Sequence, residues 1–75
     1  MNKGVQDKMK INVEYLKQQR IAKGMSQEAL ATKLGYKSKN AWQRIEKGRV
    51  QVQSRYLMKL IEILELDLNI LYIED

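Results

Sequence analysis

The sequence predicts an all-α fold, a compact bundle of five short helices. Three observations predict it. Glycines at 24, 35 and 48 each close a helical stretch, at the place where a left-handed residue ends a helix. Ser, Asn or Asp stands ahead of each helical stretch, as N-cap residues do. The apolar residues inside the stretches recur at helical spacing, and the connections between them are short.

The elements follow in order. Residues 1–11, MNKGVQDKMKI, lack clear periodicity and read as a basic, loosely ordered arm; residues 12–75 read as one domain. A first helix is expected over residues 13–23, with Asn12 as its N-cap. The second covers 27–34, capped by Ser26, with Glu28 in its first turn complementing the helix dipole. Leu30, Ala31 and Leu34 form its inner face. The third covers 39–47, capped by Ser38. The fourth covers 55–65, capped by Ser54, with Leu57, Leu60, Ile61 and Leu64 as its stripe. A short fifth helix, 68–73, follows Asp67. The expected core is Leu30, Leu34, Trp42, Ile45, Leu60 and Leu64.

Composition narrows the function. A chain of 75 residues holds a marginal core, which tight helix packing or oligomerisation usually supports. There is no cysteine and no histidine. Disulfides and thiolate metal sites are therefore excluded, and the commonest general base is missing. No nucleophile is paired with a base, so an enzyme is not expected, nor a metal, a cofactor or a small-molecule substrate. No apolar run is long enough to span a membrane, and the basic N-terminus lacks the apolar segment of a signal peptide. The expected location is the cytoplasm, with no membrane partner. Charge is uneven: residues 1–49 carry a net +8 and residues 50–75 a net −3, within an overall +5. A basic body suits a polyanionic partner.

The stretch GYKSKNAWQRIEKG, residues 35–48, places the one tryptophan among cations. At about 100° per residue, Ala41, Trp42 and Ile45 share one arc of the third helix. Asn40, Gln43 and Lys47 lie opposite, flanked by Lys39 and Arg44. An aromatic that stacks on bases would share the face of the cations, so Trp42 reads as core. The outer face has the chemistry of base recognition: Arg and Lys donate to guanine, and Asn and Gln pair with adenine. Just upstream, SQEALATKLGY supplies another capped helix and a glycine-containing turn.

From Leu16 to about Leu71 the chain resembles the Cro/lambda-repressor-like helix-turn-helix family, also called the xenobiotic response element family. The matching landmarks are Leu16, Arg20, Gly24-Met25-Ser26-Gln27, Leu30-Ala31, Leu34-Gly35, Ile45-Glu46, Gly48 and Leu66-Asp67-Leu68. The resemblance implies a DNA-binding domain over 12–75, with Lys39, Asn40, Gln43 and Arg44 reading bases. It implies that Gln27 contacts the DNA backbone and buttresses the third helix, and that Arg20 pairs with Glu46. Ser38, Lys47 and Arg49 are expected at the DNA backbone, with Lys3, Lys8 and Lys10 adding phosphate contacts or long-range attraction. Two departures from the family pattern stand out. The turn GYKSKN is one residue longer than is common, and Ala29 replaces the glutamate of a capping box.

The expected partner is double-stranded DNA. The expected activity is a small transcriptional regulator, a repressor, acting as a homodimer on a near-palindromic operator. Leu68, Leu71, Tyr72 and Ile73 of the fifth helix are the candidate dimer surface. The alternatives are a DNA-binding antitoxin, a controlling protein of a restriction–modification system, or an interaction module that kept the fold without DNA. A single-strand binder would need aromatics on the basic face.

Overall fold

The computed structural model describes residues 9–74. Within them five helices and two short strands follow in the order β1 (Met9–Ile11), α1 (Val13–Ala22), α2 (Gln27–Leu34), α3 (Lys39–Glu46), α4 (Ser54–Leu64), α5 (Leu68–Leu71) and β2 (Tyr72–Glu74). The helices make a compact bundle, and the two strands a minor antiparallel ribbon at the chain's two ends. The ribbon pairs Met9 with Glu74, Lys10 with Ile73 and Ile11 with Tyr72.

Caps explain most helix starts. Asn12 accepts from the Tyr15 amide at 3.1 Å, Ser26 Oγ from the Ala29 amide at 3.0 Å, and Asp67 from the Asn69 amide at 2.9 Å. Gly35 ends α2 at φ 100°, a left-handed conformation that costs an L side chain about 1–2 kcal/mol. Its amide closes onto Ala31 and Thr32, and the Tyr36 amide onto Ala31 at 2.9 Å. The helix is therefore stopped firmly, and the chain is free to turn into α3. Glu65 ends α4 in the same region, at φ 53°, without a glycine's freedom.

Leu16 of α1, Leu30 and Leu34 of α2, Trp42 and Ile45 of α3, Leu60 and Leu64 of α4 and Leu71 of α5 close the core, each at most 3% exposed. Trp42 is its largest member and is fully buried. Completely burying such side chains contributes about 1.5–3 kcal/mol apiece, and an indole at least that. The N- and C-terminal segments are laced together. The Asn12 amide donates to the Leu71 carbonyl at 2.7 Å, and the Asp67 amide to the Tyr15 hydroxyl at 2.9 Å. Gln19 Nε2 donates to the last carbonyl of α4, Leu64, at 3.2 Å, which occupies an acceptor the helix itself leaves open.

Three expectations need correction. The loose arm was expected over residues 1–11, but Met9–Ile11 is strand β1; the rest of the arm, with Lys3 and Lys8, lies outside the described residues. The fifth helix was expected to reach residue 73, but it stops at Leu71, and Tyr72 and Ile73 belong to β2. Antiparallel pairing with β1, Ile73 against Lys10 and Tyr72 against Ile11, draws the chain out of the helix there. Ser54 was expected to cap α4, but it is the first helical residue, and Gln53 holds the extended cap position.

Candidate nucleic-acid interface

Helix α2, the four-residue turn 35–38 and helix α3 form one packed unit, with α2 and α3 making the most extensive helix contact among the described residues. The turn is long, yet α3 keeps a defined rotation because Trp42 and Ile45 are both buried. That rotation leaves Lys39, Asn40, Arg44 and Lys47 exposed, with Gln43 half-buried at the boundary. Ser38 sits at the N-cap, exposed, and its side chain makes no capping bond. Arg49 follows in the exposed α3–α4 loop.

Glu46 is the hub beneath this face. Arg20 Nε donates to its Oε2 at 2.6 Å and Arg20 Nη2 to its Oε1 at 3.3 Å. Gln27 Nε2 donates to Oε1 at 3.0 Å, and the Trp42 indole N–H donates to Oε2. The remaining Arg20 arm donates to the Met25 carbonyl at 2.7 Å, just ahead of α2. One carboxylate thus joins α1, α2 and α3. Its side chain is 4% exposed and that of Arg20 10%, so the pair is well shielded from water. Burial pushes the Glu46 carboxyl up. Hydrogen bonds from Arg20, Trp42 and Gln27, with the charge of Arg20, outweigh that and hold it below the usual glutamate range.

Two consequences reach the surface. Between residues 35 and 53 the chain has five cations and a single carboxylate, Glu46. Because Glu46 turns inward onto Arg20, the exposed charge of this stretch is all positive: Lys37, Lys39, Arg44, Lys47 and Arg49. Gln27 in turn accepts from Gln43 Nε2 at 3.2 Å, so a chain of bonds runs from Glu46 through Gln27 to the edge of the outer face of α3.

Sequence reasoning did not find the Trp42–Glu46 and Gln27–Gln43 bonds. The first has a signal, the i, i+4 spacing of the two residues; the second depends on how α2 and α3 cross. Gln51 and Gln53 were also missed. With Tyr36, Ala41, Arg44 and Val50 they line a hollow of about 220 Å³ beside the exposed face of α3. The alternation in RVQVQ, residues 49–53, was the available signal. Tyr36, in the turn, stacks at 4.1 Å on Tyr56, over whose ring Arg55 lies at 5.5 Å. Burial and the neighbouring Tyr56 raise the Tyr36 hydroxyl above its ordinary value.

Two helices joined by a four-residue turn that opens on a left-handed glycine, the second with one apolar and one cationic, amide-bearing side, define a helix-turn-helix protein. The helix-turn-helix domain family model matches residues 13–69, more than half of the chain, and the chain belongs to that family. Curated proteins and solved structures gave no match. No helix among the described residues is long and apolar enough to cross a membrane, and no group of acidic side chains among them is arranged to hold a metal ion.

Proposed function

We propose that this chain is a sequence-specific duplex DNA-binding regulator that acts as a homodimer on a near-palindromic operator, as a transcriptional repressor. The observation that carries the reading is the two-sidedness of α3. Trp42 and Ile45 are buried while Lys39, Asn40 and Arg44 are exposed. A helix of this kind enters a major groove with its outer side against base edges.

Lys39 and Arg44 supply donors for guanine, and Asn40 supplies a bidentate pair for adenine; each good pair discriminates by about 1–3 kcal/mol. Gln43 is a reader held in orientation by Gln27. Ser38, Lys47 and Arg49 are the phosphate contacts of this reading, and carry affinity without sequence information. Gln27 already spends both ends of its amide inside the protein, so its main part is to brace α3. The buried Trp42 argues against a single-strand binder, which stacks bases on exposed aromatics.

One such helix reads a few base pairs, so two copies about one helical turn apart give usable specificity. Four large apolar side chains near the C-terminus support self-association: Leu68, Ile70, Tyr72 and Ile73 are all exposed. Leu71 is fully buried, closes the core of the single chain, and drops out of the dimer surface.

The test is selection of bound duplexes from a randomised pool at a stated, near-physiological salt concentration. The reading expects a two-fold symmetric site with half-sites about 34 Å apart. A pool that stays random after repeated rounds overturns it.

A further inference from the structure

The hydrogen bonds beneath the outer face of α3 have a direction, and the direction reaches Gln43. Glu46 lies at the inner end. Its carboxylate is held below the usual glutamate range, so at neutral pH both oxygens only accept. Gln27 therefore has to meet Glu46 with its NH2 end, and its Nε2 lies 3.0 Å from Oε1. That commits the Gln27 oxygen to the other side, where it accepts from Gln43 Nε2 at 3.2 Å. Reversing the Gln43 amide would set oxygen against oxygen. A side-chain amide left to itself turns either end to a partner. This one is held by its nitrogen, and its Oε1 has no donor among the described residues and is not enclosed.

We propose that Glu46 and Gln27 are positioning residues that fix Gln43 as an acceptor toward DNA, so that its contact selects bases with an exocyclic amino group, adenine or cytosine, over guanine and thymine. This rests on the base-reading role of α3 proposed above and names what one of its readers recognises. In the major groove adenine presents its N6 amino group and cytosine its N4 amino group, whereas guanine presents O6 and thymine O4, both acceptors. An amide free to turn would satisfy either kind. Fixed with its oxygen outward, it bonds the amino bases and meets the keto bases oxygen to oxygen. On adenine the second N–H of Gln43 still serves N7, so the bidentate pairing survives the relay. Asn40 and Arg44 are exposed and stand outside the relay, so a change in it is felt at one base pair of each half-site.

The test reads base preference position by position, on duplexes built from the selected site. Gln43→Ala marks the base pair that Gln43 contacts. The unaltered chain is expected to prefer adenine or cytosine there by at least about fivefold, the lower end for a good contact. Gln27→Met keeps the length of the side chain and spares the Arg20–Glu46 pair. It is expected to bring that one preference within about twofold of none, while the preferences set by Asn40 and Arg44 hold. Glu46→Gln is the second variant. Its neutral amide can face Gln27 by either end, so the same position should relax, with circular dichroism confirming the helices. If Gln27→Met blunts every position alike, it has only loosened α3, and the relay is overturned while DNA reading stands. The same holds if the preference survives Gln27→Met, if the Gln43 position prefers guanine or thymine, or if Gln43→Ala changes no preference. A pool from which no site emerges overturns both.

Discussion

Replacing Glu46 with alanine isolates what the buried hub contributes. The substitution leaves Arg20, 10% exposed at its side chain, with Nε and Nη2 unpaired, and removes acceptors from Trp42 and Gln27. Breaking a buried pair from one side costs about 3–5 kcal/mol, because the remaining charge stays desolvated. A domain of this size has a total stability of the order of 5–10 kcal/mol. Each kcal/mol shifts its thermal midpoint by about 4–8 °C. Glu46→Ala should therefore lower the midpoint by at least about 12 °C, read by circular dichroism. Replacing both partners, Arg20→Leu with Glu46→Leu, should recover part of the loss, because no unpaired charge remains. A midpoint within about 3 °C of the parent for Glu46→Ala would refute the reasoning, since an exposed pair contributes under about 1 kcal/mol.

The same carboxylate sets an acid limit. Its folded value is depressed, so its contribution is complete above the unfolded glutamate value of about 4.3 and is lost as pH falls through the lower folded value. Urea midpoints measured from pH 7 downward should drop below about pH 4 in the parent, and less steeply in Glu46→Gln. Trp42 is fully buried, so its emission should be blue-shifted and resist acrylamide, and single-stranded oligonucleotide should not quench it; efficient quenching by either would expose the indole. Glu65 holds φ 53° at the end of α4, and the Lys23 ion pair it would lose has a 75% exposed carboxylate. Glu65→Gly should raise stability by up to about 1 kcal/mol, and a lower melting point would show that the ion pair outweighs the backbone strain.

Much of the bundle is legible because its signals are local. Ser26, Gly35 and the spacing of Leu30 and Leu34 delimit α2 from neighbours a few residues away. Trp42 and Ile45, three apart, orient α3 even across a turn one residue longer than usual. The ribbon is not legible in this way. Three residues are too few to show a period of two, and the β1–β2 pairing joins residues more than 60 positions apart. The stretch from Ile70 to Ile73 reads as one apolar run, so only β1 reveals where α5 gives way to β2. At the site, the residue types of the exposed face were readable. The bonds that orient them, Gln27 to Gln43 and Gln27 to Glu46, belong to the packing of α2 on α3 and have no signature in either helix alone.

The claim at the centre of this account is that the exposed side of α3 reads bases. It is tested most directly by comparing the affinity of single substitutions for the selected duplex and for a scrambled one at the same salt. Asn40→Ala and Arg44→Ala should each lower the specificity ratio about 5- to 150-fold, corresponding to about 1–3 kcal/mol. Lys47→Ala and Arg49→Ala should weaken both duplexes alike and reduce the salt dependence. If Asn40→Ala and Arg44→Ala leave the ratio unchanged, the face binds phosphates alone and the account is contradicted.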